Sequence, residues 1–592
     1  MTARLLMIAL DGADARLLEN WIITGDLPNL AAVLARGAMK RLTAPVGATD
    51  DALWASFQYG VPVEEHGRYH YALKLSTGTF GMAHTEESHL TPFWRSLASQ
   101  GLRVAILDVP KCPAPQPLNG IQIVDWLVHG RYFGEPRSYP PSLASEIVER
   151  FGPAPPSRCG DNLGQLSDED VLEIVGNLRI SVARKRSAAL SYLTAEPWDL
   201  FVLGFKEAHC ISHSLWNFVD AGHADYDPKR NAMLGHPVRT IFQEIDTAIG
   251  ELITCAGPRA EVVIFSTTDM EPNGSMDHLM PELVKRLNKW LWDRQATHHE
   301  SVLQLLPYNE NWGALRIQQG TDITCRDRIL QEIEAVLFQL VDANSHEPVV
   351  TSFARPSSDH WGPKASSLPD LLIQYRPNAF PRAVISPKLG RIEAEPSPMR
   401  PGNHRPGGLL VGHGSRSTGL FQKINSLERL GFLAVKFLEG ANRSIYRNDL
   451  LRKFDVNDRE LIRSSAQQLV GSYPIEVSKT GSNFAWIGQS AKINFAVSGS
   501  EKNLKISGYA PVNLHRERNK VSQLTVEVWG NHRKLGKMNF EEEGPFERSF
   551  SLGNAINGGD RVNVELIPES VIEPNNSDLR ALSLIITKIW IE

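Results

Sequence analysis

At 592 residues the chain exceeds what one ordinary core encloses, so two or three domains are expected. A 42% hydrophobic and 22% charged composition is that of a globular protein, and a net charge of -5 without any Lys/Arg-rich run excludes an electrostatic nucleic-acid binder. No stretch approaches the roughly 18 apolar residues of a bilayer-spanning helix.

The chain opens with an apolar run, Arg4 to Leu10, that passes straight into Asp11-Gly12. With no small-residue cleavage pattern, it reads as a central parallel strand ending at a functional edge and not as a signal peptide. Helical periodicity follows around Ala13–Trp21 and Leu30–Leu34. Buried strands are expected at Val104–Leu107, Leu200–Phe205, Val262–Phe265 and Leu371–Gln374, with amphipathic helices at Glu169–Leu193 and Val238–Ile253 between them. This alternation, from residue 1 to about 418, predicts a doubly wound, mostly parallel α/β sheet flanked by helices. In such sheets, sites form beyond the carboxyl ends of the strands. Asp11, the segment after Phe205, and Ser266-Thr267-Thr268 all follow predicted strand ends. Residues 419–472 read as a charged helical connector. From Tyr473 to the end, short alternating runs separated by Gly, Asn and Ser predict an antiparallel β-sandwich. Five cysteines, an odd number without CxxC spacing, suit reduced thiols and a cytoplasmic location.

In FVLGFKEAHCISHSLW, His209 and His213 are spaced i, i+4, so a helix after Phe205 puts both imidazoles on one face. With the remote His404 of GNHRPGGLL they make the three-ligand set of a zinc site with one open position. Cys210, between them, points off that face and reads as a packed thiol.

Four segments in order resemble the type I phosphodiesterase/nucleotide pyrophosphatase branch of the alkaline phosphatase superfamily. They are IALDGAD, the stretch LPNLAAVLARGAMKRL with APVGATDDALWASFQYGVPVEEHGRY, the strand and helix DLFVLGFKEAHCISHSLW, and Leu368-Pro369-Asp370-Leu371 followed by GNHRPGGLL. Trp54, Gly60, Pro62, His66 and Gly67 fall in the family's frame. The resemblance implies an alkaline-phosphatase-like fold and metal ligation by Asp11, His209, His213 and His404. It also implies a hydroxyl nucleophile at a helix start, where backbone N–H groups face the anion. Thr49 fills that slot in this reading, although counting back from Trp54 reaches Asp50 as readily and either residue also serves as an N-cap.

Departures from the family pattern matter as much. His209 stands where the family has an aspartate, leaving a neutral three-histidine set that suits one zinc ion. The strand-end motif SDHGM reads Ser266-Thr267-Thr268-Asp269-Met270 here, so both second-site ligands have become threonine and that site is expected to be empty or weak. Ser358-Asp359-His360-Trp361-Gly362 looks like the missing motif but follows no buried strand. Asp277-His278 precedes an amphipathic helix, where Asp serves as a cap. His66 and His70 read as packing or substrate-edge residues.

The tail resembles β-sandwich modules of bacterial enzymes that make surface polysaccharide, which implies a carbohydrate-binding role. Asp578 and Arg580 read there as an ion pair, and Trp529 as a core residue that could instead stack on sugar. The expected activity is metal-dependent hydrolysis or transfer on a phosphate or sulfate ester of a small molecule or glycan. The alternative is an inactive member that binds phosphorylated or glycan ligands.

Overall fold

The computed structural model describes residues 3–48, 50–70, 72–74, 80–82, 90–129, 133–160, 163–295, 302–307, 311–317, 323–356, 368–396, 399–414, 424–438, 453–455, 470–472, 476–477, 483–496, 503–531, 533–553, 561–570, 572 and 583–591. The chain divides into two compact units, one of Met1–Ser88 with Pro92–Leu438, the other of His89–Thr91 with Glu439–Glu592.

An eight-stranded sheet organises the first unit, in the order Ala38–Arg41, Leu409–His413, Glu261–Ser266, Ala3–Leu10, Trp198–Phe205, Val104–Leu107, Gly120–Val124 and Arg137–Tyr139. The five strands from Glu261–Ser266 to Gly120–Val124 are parallel. Leu409–His413 and Arg137–Tyr139 flank them in the antiparallel sense. Leu5 to Ala9 are fully inaccessible, as a strand covered on both faces requires, which is why the run is apolar without alternation. Helices Ala15–Thr24, Asp168–Ala195 and Pro237–Ala256 share one apolar core with sheet residues such as Ile8 and Leu203. The doubly wound sheet is thus present.

One strand is misplaced in the sequence reading. Leu371–Tyr375 forms, but it pairs antiparallel with Trp312–Ile317 and Val350–Ala354 in a separate four-stranded sheet. That sheet has its own core with helices Met280–Gln295 and Ile323–Leu337. A short apolar run reports burial on both faces, not which sheet buries it.

A buried charge network escaped the sequence reading. Lys185 Nζ lies 3.0 Å from both Asp108 and Glu207, and Lys206 Nζ lies 2.8 Å from Asp108. Ser181 donates to Glu207 at 2.6 Å and Lys206 to the Trp126 carbonyl at 2.9 Å. All four ionic side chains are at most 2% exposed. Two ammonium groups balance two carboxylates, so the network tethers the strand end after Phe205 without net charge.

Of residues 419–472, Glu428–Leu438 is a helix of the first unit, while Lys453–Asp455 and Val470–Ser472 are strands pairing in the C-terminal sheet. The helical reading of residues 457–469 lies outside the described residues, as do Asp578 and Arg580. The second unit is antiparallel throughout. Its 14-residue strand Asn483–Ala496 pairs through its first half with Ile585–Ile591 and through its second with Arg561–Pro568. The strands enclose one core that includes Phe495, Ile506, Val526, Val564 and Ile586. Period-two burial along Asn503–Ala510 matches the alternation read from sequence. Trp529 is half-buried and outside that core, its indole N–H on Glu527 at 3.1 Å and Lys534 over its ring.

Lys185→Met leaves two desolvated carboxylates with one ammonium, so a loss of about 3–5 kcal/mol is expected in urea unfolding. Asp277 offers a pH test. Its buried side chain accepts the Tyr375 hydroxyl at 3.0 Å, and burial lifts its carboxyl to about 7. The unfolded chain ionises this group first, so its stability contribution is lost as pH rises from about 4 through about 7. Asp277→Asn keeps an acceptor oxygen. Its stability gain over wild type should be near zero at about pH 4 and roughly 1–3 kcal/mol at about pH 8.

Candidate metal centre

Sheet register assembles the centre. Leu10 is opposite Phe205 on one side and Ser266 on the other, so Asp11, Lys206 and Thr267 leave the same edge. The Asp11 N–H donates to the Phe205 carbonyl at 3.2 Å. Helix Glu207–Leu215 begins two residues after its strand, and every one of its residues is buried. His209 and His213 stand one turn apart on it, with ring centroids 4.2 Å apart. His404 arrives on strand Gly402–Arg405, which pairs antiparallel with Asp269–Pro272 immediately after Thr267-Thr268. Its ring centroid lies 4.4 Å from His213 and 5.1 Å from His209. One ligand atom from each of the three histidines falls within 4.8 Å of the others.

Two glycines make this approach possible. Gly12 has φ +61°, and a Cβ there would stand 3.2 Å from His209 Cα and 3.3 Å from His404 Nε2. A Cβ on Gly402 would meet the Ser212 carbonyl oxygen at 2.5 Å. That close packing lets the Gly402 carbonyl accept from His213 Nδ1 at 2.8 Å. With Nδ1 carrying the proton, Nε2 of His213 keeps its lone pair, directed at His404 Nε2 at 2.9 Å. Burial, and then the other imidazoles, hold His209 well below its ordinary pKa. Burial and then Arg400 do the same for His213. Both rings are neutral, the form that ligates metal.

The carboxylate side adjoins it. Asp11 Oδ1 accepts from Trp54 Nε1 at 2.8 Å and Thr267 Oγ1 at 3.4 Å. Its Oδ2 is buried without a hydrogen-bond partner among the described residues. Burial first, then Asp50, pushes the Asp11 carboxyl well above the usual range. Asp50 opens helix Asp50–Tyr59, pairs with Lys111 and comes within 3.9 Å of His209 Nε2. Lys111 also reaches Asp51 at 2.9 Å. Asp11, Asp50 and His209 therefore form a second group of converging ligand atoms. Thr268 Oγ1 is buried and lacks a hydrogen-bond partner among the described residues.

Thr49 lies outside the described residues, as does the 358–362 segment. Asp277 and His278 bond elsewhere, to Tyr375 and the Pro381 carbonyl. His66 bonds Ser56 and the Arg68 N–H, and neither it nor His70 joins the ligand groups. Sequence reasoning missed Lys111, His129 and Cys159. Lys111 and His129 sit in loops after Val104–Leu107 and Gly120–Val124, both at positive φ. Asp108, Asp125 and Leu127 share that left-handed conformation. Such residues cost on the order of 1–3 kcal/mol each and cluster at functional sites, but no spacing rule announces them.

The centre fits a divalent ion: three imidazoles, two of them held neutral by burial, converge beside a buried carboxylate oxygen that has no hydrogen-bond partner among the described residues. Such a centre, at the carboxyl edge of a parallel sheet, belongs to the layout of a metal-assisted ester hydrolase. A family model described as type I phosphodiesterase / nucleotide pyrophosphatase matches residues 5–394, and the chain belongs to that family. Phosphoester hydrolysis is the chemistry of this family. His404 lies beyond the matched span. No curated protein matches the chain. Among solved structures, phosphonoacetate hydrolase from Sinorhizobium meliloti 1021, in complex with phosphonoformate, is 14% identical with a TM-score of 0.46, covering 74% of this chain and 96% of that one. Inactive murine ectonucleotide pyrophosphatase / phosphodiesterase 5 in complex with AMP is 12% identical with a TM-score of 0.41, covering 74% and 95%. Among the described residues, no helix is long and apolar enough to cross a membrane.

Gly12→Ala tests the packing of the centre. The new methyl group needs a left-handed backbone and displaces His209 or His404, so metal affinity should fall by about 10- to 100-fold, read by competition with a chromogenic chelator.

Proposed function

We propose that the chain is a metal-dependent hydrolase or transferase acting on a phosphate or sulfate ester, with one zinc ion on His209, His213 and His404. The convergence of these three buried imidazoles beside Asp11 and Asp50 carries the reading. A divalent ion held there would supply positive charge to the ester oxygens and lower the pKa of an attacking hydroxyl. The Thr49 hydroxyl oxygen bonds to phosphorus while the bond to the leaving oxygen breaks. Asp11 takes the hydroxyl proton and hands it to the leaving oxygen, which departs as its alcohol. Water then cleaves the phospho-threonine, restoring the hydroxyl and releasing phosphate, or a phosphate monoester where the substrate is a diester. Asp50, paired with Lys111, is the alternative nucleophile. The Lys111 ammonium also stands in for the charge of a second cation, since Thr267 and Thr268 offer poor ligands. A small-molecule or glycan phosphoester, such as an intermediate of surface polysaccharide assembly, is the substrate class in this reading.

One observation favours the inactive alternative. Thr267 satisfies Asp11 with a hydroxyl where a metal would otherwise sit, so the chain could bind a phosphorylated or glycan ligand without cleaving it.

Turnover of a chromogenic phosphodiester with metal analysis decides between them. The expected result is bound zinc, loss of that zinc in His404→Ala, and a fall in turnover of at least about 10³-fold in Thr49→Ala. Loss confined to Asp50→Asn moves the nucleophile by one residue. Phosphorylated-ligand binding that survives chelation, with no product formed, overturns the catalytic reading.

A further inference from the structure

His209 faces two ways. Its Nε2 looks toward Asp50 at 3.9 Å, while its Nδ1 lies 3.8 Å from the sulfur of Cys159. Cys159 Sγ in turn lies 3.3 Å from His129 Nδ1, and the His129 and His209 ring centroids are 4.2 Å apart. Cys210, next to His209 on the helix, is buried and turns its sulfur to the same place. Ligand atoms of His129, Cys159, His209 and Cys210 all lie within 4.8 Å of one another. Three segments distant in sequence thus meet at two sulfurs and two imidazole nitrogens.

We infer that these four residues form a second, thiolate-rich metal site for a zinc-class divalent ion, and that His209 is shared between it and the His213/His404 centre as an imidazolate, its ring proton released to solvent when both ions are bound. Two sulfurs with two imidazole nitrogens are the ligand chemistry of tetrahedral zinc, and discriminate against the hard cations that oxygen donors take. The distances agree. Bonds of about 2.3 Å to sulfur and about 2.05 Å to nitrogen at tetrahedral angles put S and N about 3.6 Å apart, and the two observed separations, 3.3 and 3.8 Å, fall on either side of it. An entry path exists, because Cys159 and Cys210 line a small pocket rimmed by the exposed Arg158 and Glu173. An ion on Nδ1 fixes the His209 ring with Nε2 facing Asp11 and Asp50, so the thiolate site positions a ligand of the first centre. A carboxylate at 209, as in the family pattern, could not hold that bridge through an aromatic ring.

Cobalt reconstitution of the metal-free full-length protein tests the assignment independently of turnover. Two equivalents of Co²⁺ should bind, with a near-ultraviolet thiolate-to-cobalt charge-transfer band. Cys159→Ser should abolish the band and one equivalent, whereas His213→Ala should lose the other equivalent and keep the band. In the wild type, zinc should protect two thiols from a disulfide reagent, which decides the matter even if Cys159→Ser fails to fold. A wild-type protein that binds cobalt without a sulfur band, and whose thiols react equally with and without zinc, overturns the inference and leaves an ordinary thiol–imidazole hydrogen bond. Lost turnover with an intact sulfur band would count against the hydrolase reading alone.

Discussion

Packing neutral imidazoles against one another in a water-poor pocket is the constraint on which the rest of this centre depends. His209 and His213 each bring a lone pair that must meet a proton or a metal, because burial denies these rings water and disfavours a charge on them. The protein commits itself to this arrangement structurally. Gly12 and Gly402 remove the side chains that would hold the rings apart, and the Gly402 carbonyl fixes which nitrogen of His213 is free. A cation at the shared focus, as proposed, would take up lone pairs from all three rings together.

Around that focus, two charge networks do different jobs. Lys185, Lys206, Asp108 and Glu207 neutralise one another completely and hold the start of the histidine helix to its strand. The second network is deliberately unfinished. Asp11 and Asp50 repel each other, Lys111 offsets part of that repulsion, and one Asp11 oxygen is left without a bond among the described residues. A closed network rigidifies; an open one beside it leaves a place for an anionic substrate's counter-charge.

Legibility from sequence followed periodicity and chain order. The strands ending at Leu10, Phe205 and Ser266 announced themselves because strands buried on both faces are apolar throughout, and their shared direction put the residues after them on one edge. His209 and His213 were readable because helical spacing is local. His404 was not readable from spacing at all; only family resemblance pointed to it, since a pairing with Asp269–Pro272 brings it home from far along the chain. Leu371–Tyr375 was found as a strand and assigned to the wrong sheet for a related reason, as hydrophobicity carries no record of the partner. Nothing in the amphipathic pattern of Glu169–Leu193 singles out Lys185, although it is among the most deeply buried side chains. His129 and Cys159 sit on irregular loops, where no period exists to read.

The histidine at 209 ties these threads together. An aspartate there would add a negative charge beside Asp11 and Asp50, a cluster whose mutual repulsion is already large enough to raise the Asp11 carboxyl. An imidazole adds no such carboxylate charge and aims its second ring nitrogen away from the carboxylates, toward Cys159. With Thr267 and Thr268 standing where the resemblance implies an aspartate and a histidine, the pocket carries less anionic charge at two positions, 209 and 267, than that pattern. Fewer anions hold fewer hard cations, so the balance moves toward soft, nitrogen- and sulfur-bound metal and toward Lys111 as the fixed positive group. The substitutions form one consistent change in charge and ligand type, and scattered loss of a site would not produce that coherence.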